Sequence, residues 1–175
     1  MKRTAIAYWL IPAEPARSFF EDIIIDLARR YNAPPFEPHM TIHVGSNRED
    51  VAAEAIAKAA NCCGPMQAKV LGTNHSGEFI KTLFVQFTPS AKLGRLNEII
   101  RNAAQESSDY QFNPHLSLLY KSMPTPVRRQ LANSISLPFS EVIFDLIRAV
   151  RCGSPTQTRA DVEAWRVLAT KPLRG

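Results

Sequence analysis

One segment of this chain occurs twice. Phe36-Glu37-Pro38-His39-Met40-Thr41-Ile42-His43-Val44 returns 76 residues later as Phe112-Asn113-Pro114-His115-Leu116-Ser117-Leu118-Leu119-Tyr120. The shared pattern is Phe-x-Pro-His-apolar-(Thr/Ser)-apolar. Each copy follows a segment with helical periodicity, so the repeat predicts two similar structural units rather than one irregular core. Of the four histidines, His39 and His115 alone have a hydroxyl two residues later; His43 and His75 have Gly45 and Gly77 there. A fold that accommodates this repeat must present the same strand twice.

Strand alternation gives the repeat its chemistry. His39 and Thr41 share one face of a strand, as do His115 and Ser117, while Met40, Ile42, Leu116 and Leu118 point into a core. A pseudo-two-fold axis between the copies would set two imidazoles and two hydroxyls across one groove. Imidazoles with ordinary pKa values near ~6.5 can supply one neutral and one protonated ring around neutral pH, an acid–base couple. Hydroxyls can donate to nonbridging phosphate oxygens as charge develops on them. A lone strand histidine carries little meaning, whereas two in matched contexts, each with the same hydroxyl partner, point to a site.

The rest of the chain supports an α+β reading. Thr4–Ile11 is apolar and rich in β-branched and aromatic residues, the pattern of a buried strand. Phe19, Phe20, Ile23, Ile24 and Leu27 make a helical face that ends at Asn32-Ala33-Pro34-Pro35. Ser46 or Asn47 is the expected cap of a second helix and Ser90 of a third. Lys69–Asn74 and Ile80–Thr88 read as strands around Ser76-Gly77-Glu78, and a short helix follows Pro124 or Pro126. Glu141–Arg151 and Val162–Thr170 read as the last two strands. No low-complexity stretch interrupts the 175 residues, so residues 1–175 are expected to form one domain of two similar lobes.

Composition closes off several classes. Hydrophobic residues are 45% and charged residues 21%, ordinary globular usage that excludes disorder and collagen-like repeats. The apolar run near the N-terminus is too short for a membrane span and reads as a strand, so no membrane partner is expected. Cys62, Cys63 and Cys152 fall in no ligand spacing, which predicts a reduced, cytoplasmic protein without structural zinc. His39 and His43 are four apart but sit in a strand-like stretch without the glutamate of a helical zinc motif, so no metal is expected. The formal charge of +5 lies wholly after residue 120, where nine basic residues face four acidic ones. That excess suits either a solvated face or the steering of an anionic ligand. Lys69, Lys81 and the Ser76-Gly77 turn read as exposed features of an ordinary hairpin.

His39-Met40-Thr41-Ile42 and His115-Leu116-Ser117-Leu118 resemble the paired His-x-(Thr/Ser)-x motifs of the 2H phosphoesterases. The likeness is greatest to the cyclic phosphodiesterase branch. Tyr8-Trp9-Leu10-Ile11-Pro12 is similar to that branch's N-terminal strand, and Glu163-Ala164-Trp165 to its C-terminal region; residues 121–140 carry little of the resemblance. The resemblance implies a bilobal fold of two antiparallel-rich sheets with outer helices, related by a pseudo-two-fold, with the groove between them. It implies metal-independent opening of a cyclic phosphodiester without cofactors, with His39 and His115 as the acid–base pair and Thr41 and Ser117 as phosphate ligands. Trp9 and Tyr120 match aromatics of the substrate site, and Phe79 is the nearest match to a third. Tyr120 needs a bulge or a strand end to reach the side of Ser117. His43 matches no functional position.

The expected substrate is a small cyclic phosphate, either ADP-ribose 1″,2″-cyclic phosphate or a nucleoside 2′,3′-cyclic phosphate, acted on by a monomer. The alternatives are a 2′-5′ RNA ligase or RNA cyclic phosphodiesterase working on RNA ends, and a noncatalytic module that binds phosphorylated ligands.

Overall fold

In a computed structural model, the described residues are 2–104 and 108–175. They form β1 (Arg3–Pro12), α1 (Ala16–Tyr31), β2 (Met40–Ser46), α2 (Glu49–Cys62), β3 (Met66–His75) and, after a 3₁₀ turn at Phe79–Lys81, β4 (Leu83–Phe87). α3 (Ala91–Ala103), β5 (His115–Leu119), α4 (Thr125–Ser134), β6 (Glu141–Ser154), α5 (Arg159–Glu163) and β7 (Arg166–Pro172) follow. The architecture is α+β and every strand pairing is antiparallel.

The two expected sheets are halves of one hydrogen-bonded system in the order β1-β2-β5-β4-β3-β6-β7, closed by a further β1–β6 pairing. The long strand β6 serves both halves. Its first residues pair with β3, from Lys69↔Glu141 to Met66↔Phe144, and the remainder pairs with β1 and β7. At the opposite side the halves meet through a single bridge, Met40↔Leu116. Those two residues hold the same place in the repeat, so the local two-fold of the antiparallel pair falls between the two motifs. Beyond the bridge β2 turns to other partners. The Ile42 carbonyl accepts from Asn97 Nδ2 at 2.7 Å, Thr41 from the Tyr110 hydroxyl at 3.1 Å and Val44 from Ser108 Oγ at 2.6 Å. The sheet splits there, and the split opens a groove.

Helices α1, α2, α3 and α4 cover the face away from the groove, and the main core lies between. α1 buries Phe20, Ile24, Leu27 and Ala28, a three-and-four spacing on one side, against β5 of the other half. α3 packs reciprocally on β2. Asn32 ends α1 in the left-handed conformation (φ 49°), its N–H bonded to the Ala28 carbonyl, and Pro34-Pro35 forbids continuation. Replacing Phe20, fully buried, with alanine removes a ring at the centre of this interface and costs roughly 3–5 kcal/mol.

One local expectation holds and two shift. Ser90 caps α3 as expected, accepting from Leu93 N at 3.2 Å. α2, however, starts from Arg48 without a side-chain cap, and its orphan N–H groups have Glu49 and Asp50 in the first turn instead. The strand expected at Val162–Thr170 starts only at Arg166, because Thr158 and Asp161 close a reciprocal capping box that makes 159–163 helical. No helix among the described residues is long and apolar enough to cross a membrane.

Candidate active site

Continuing the register of the Met40↔Leu116 bridge sets His39 opposite Ser117 and Thr41 opposite His115, all on the groove face. The two imidazoles are then diagonal neighbours. His39, Thr41, His115 and Ser117 line one cavity of ≈ 120 Å³ together with Val44, Ile80, Tyr110 and Tyr120.

Tyr120 reaches this cavity because of a bulge that the repeat carries twice. Between β1 and β2, Tyr8 faces His43 and Trp9 faces Thr41, so Ile42 is an extra residue. Between β4 and β5, Leu83 faces Leu119 and Phe84 faces Ser117, so Leu118 is the extra one. The bulges occupy the same place in the two motifs and reverse alternation there. Ile42 and His43, like Leu118 and Leu119, are consequently buried behind the strand, while Val44 and Tyr120 turn into the groove. The same reversal accounts for His43, which lies in the core within ring contact of Tyr8 and Tyr110.

Each catalytic candidate is oriented by the backbone two residues before it. His39 Nδ1 lies 2.6 Å from the Glu37 carbonyl and His115 Nδ1 lies 2.7 Å from that of Asn113. A carbonyl only accepts, so Nδ1 carries the proton in both rings and each Nε2 is left for chemistry. The surroundings then diverge. His39 is 6% exposed and its ring stacks on Trp9 at 3.8 Å, with Phe36 and Trp165 edge-on. Burial lowers its pKa to about 4, the Glu37 carbonyl opposes that shift, and His115 adds to it. His115 is half-buried, with Phe84 edge-on at 5.6 Å. Burial lowers its pKa as well, against the Asn113 carbonyl; Lys81 lowers it further and Glu78 raises it.

The hydroxyls differ too. Ser117 Oγ donates to the Ile80 carbonyl at 2.7 Å, so it must rotate before it can donate to a ligand. The strap that bears Ile80 is held by Thr82, whose hydroxyl donates to the Lys121 carbonyl at 2.8 Å. Tyr120 stacks on Phe36 at 3.8 Å, and burial raises its pKa well above the ordinary value, so its phenol keeps its proton.

A second cleft of ≈ 280 Å³ continues from the first past His39, walled by Trp9, Trp165, Tyr110 and Tyr120 and by residues 152–156, the end of β6 and the turn that follows it. Trp9 therefore lines this cleft, and Tyr120 lines both. Phe79 does not line either cavity; it lies behind Tyr120 at 6.1 Å, and its neighbour Ile80, 40% exposed, faces the site. Tyr110, Ile80 and Val44 were not singled out from the sequence. Val44 alone left a signal, since it holds the place of Tyr120 in the repeat. Among the described residues no three His, Cys, Asp or Glu side chains are grouped so as to hold a metal ion.

Several known proteins are similar to this chain. The family model described as "Cyclic phosphodiesterase-like protein" matches residues 4–173. The cyclic phosphodiesterase of Arabidopsis thaliana is 22% identical over 173 residues, covering 97% of this chain and 95% of that protein. Among solved structures, TT0787 of Thermus thermophilus matches with a TM-score of 0.59 at 20% identity, covering 100% of this chain and 99% of that one. E. coli LigT complexed with 3′-AMP matches with a TM-score of 0.57 at 12% identity, with 100% of each chain covered. At such identities the two structures speak for the fold, and the family match speaks for the class of enzyme. The chain belongs to the cyclic phosphodiesterase-like family of the 2H phosphoesterase superfamily, and it is a hydrolase.

Proposed function

We propose that the enzyme opens a five-membered cyclic phosphodiester of a ribose, a nucleoside 2′,3′-cyclic phosphate or ADP-ribose 1″,2″-cyclic phosphate, to a phosphomonoester without a metal. One observation carries this reading: two histidines, each with Nδ1–H bound by a carbonyl, line the same small cavity and leave two Nε2 atoms for proton transfer. His39, buried and stacked on Trp9, is the base. Its Nε2 takes a proton from water as the water oxygen attacks phosphorus. His115, the more exposed of the two rings, is the acid and protonates the departing ribose oxygen. Thr41 and Ser117 donate to the nonbridging oxygens, Ser117 after leaving the Ile80 carbonyl. Ring strain and alignment lower the barrier enough for this chemistry.

The aromatic cleft beside His39 supports a ligand with a flat base. LigT, which shares the fold, has been solved with 3′-AMP, ATP and NADP+, all small and phosphorylated. Of the basic residues after Tyr120, Arg148, Arg151 and Arg159 are paired with Glu37, Glu49 and Glu163.

The test is turnover in EDTA of a panel of cyclic mononucleotides, ADP-ribose cyclic phosphate and a cyclic-phosphate-ended oligonucleotide, with products read by phosphorus NMR. A phosphomonoester formed from a small cyclic phosphate at an undiminished rate is expected. Activity that vanishes in EDTA and returns with a divalent ion overturns the mechanism. Tight binding without turnover favours the binding-module reading, and turnover of the oligonucleotide alone favours the RNA reading.

A further inference from the structure

The residue whose carbonyl holds each histidine is itself anchored through its side chain, by different means in the two motifs. The Glu37 carboxylate lies between two arginines. Oε1 accepts from Arg17 Nη2 at 3.0 Å and Oε2 from Arg148 Nη1 at 2.8 Å. Arg17 belongs to the first turn of α1. Arg148 lies in the middle of β6, where it is the register partner of Trp9, the ring stacked on His39. Glu37 and Arg148 are mostly shielded, with side chains 23% and 19% exposed, so this pairing is less screened than a surface ion pair. Pro38 follows Glu37 and restricts it to extended backbone, so a carboxylate held at both oxygens holds the carbonyl as well. In the second motif the same place is Asn113, whose Oδ1 accepts from Gln86 Nε2 at 2.9 Å; Gln86 is the register partner of His115.

We infer that Arg17, Glu37 and Arg148 are positioning residues for His39: an ionic clamp that keeps the Glu37 carbonyl aimed at Nδ1 and thereby keeps Nε2 free of its proton in the neutral ring. A neutral imidazole can carry its proton on either nitrogen, and with it on Nε2 the ring cannot act as a base toward the groove. Gln86 and Asn113 do the corresponding work for His115 without charge. The kinetic part of this inference rests on the reading of His39 as the base; the tautomer itself does not.

The experiment is long-range proton–nitrogen NMR of the imidazoles, with steady-state kinetics on a cyclic mononucleotide, for the wild type, Glu37→Gln, Arg17→Met and Arg17→Lys. Expected for the wild type is Nδ1 protonation in both rings. In Glu37→Gln, His39 becomes a mixture of tautomers while His115 is unchanged. kcat drops by ~10-fold, well inside what a misplacement of about 1 Å can cost. KM stays within about twofold, since substrate contacts are intact. The acid limb of the pH profile moves down, because the carbonyl bond that raises the His39 pKa is weakened. Arg17→Met gives the same changes in smaller measure, and Arg17→Lys recovers them. Should Glu37→Gln not fold, Arg17→Met, altered on the helix surface, carries the test. An unchanged His39 tautomer and pH profile in the folded variants overturns the clamp, and so does an equal response of His39 and His115, which would mean general loosening. If the tautomer responds but no cyclic phosphate is turned over in any form, the clamp stands and the proposed reaction fails.

Discussion

Around His39 the ring lies flat on Trp9, nearly sealed from water, and its carbonyl partner is tied to two arginines. Around His115 the ring meets Phe84 edge-on, stays half-open, and has the charged ends of Lys81 and Glu78 for neighbours. The strands under the two rings are alike, down to the shared bulge and the Nδ1–H bond to the residue two before. The repeat thus provides symmetric placement, and what the lobes pack around it removes the symmetry of charge. Two histidines with the same backbone support thus stand in unlike surroundings, which is what the proposed division into acid and base calls for.

The severest challenge to this comparison is removal of either ring. His39→Ala and His115→Ala should each lower kcat by ~10²–10⁴-fold, the usual worth of general acid–base catalysis, with unfolding midpoints near that of the wild type. The double variant should lose far less than the product of the two, since in the proposed mechanism the rings work as a pair. A single variant that retains most of its activity would dissolve the pairing.

The hydroxyls give the next largest effect. Thr41→Val and Ser117→Ala should each reduce kcat by up to ~10²-fold, as loss of one donor to a developing oxyanion does. They should differ in KM. In the proposed mechanism Ser117 gives up its bond to the Ile80 carbonyl to bind phosphate, so Ser117→Ala should free the strap and change ground-state binding, while Thr41→Val should leave it alone. Identical kinetic signatures for the two would argue that the strap bond is irrelevant.

The smallest effect concerns protonation. With His39 as base, kcat/KM should fall as pH drops through about 4, where the ring gains its proton. It should fall again as pH rises through the lowered pKa of His115, below ~6.5, where the acid is lost. The optimum for the free enzyme therefore lies on the acidic side. Lys81→Gln should move the alkaline limb upward by a fraction of a unit, and Glu78→Gln should move it down. Movement of the acid limb instead would exchange the roles of the two histidines.

The sequence by itself determined the four polar residues proposed for the site, the helices and strands that carry them, and the duplication that relates them. Each of those rests on spacing within a few residues: alternation for the strands, threes and fours for α1, Ser90 before α3. Tertiary structure decided what spacing cannot encode. The extra residues at Ile42 and Leu118 exist only relative to a partner strand, so strict alternation put Tyr120 on the wrong face and gave no reason to expect Val44 in the groove. The 3₁₀ turn at Phe79–Lys81 rotates Ile80 into the place proposed for Phe79. The clamp on Glu37 joins residues 20 and 111 positions away, a contact made by folding α1 and β6 around the first motif. The net charge pointed toward anionic ligands, and several of the basic residues behind it are held by carboxylates. Local chemistry wrote the same site twice, and long-range packing made its two halves unequal.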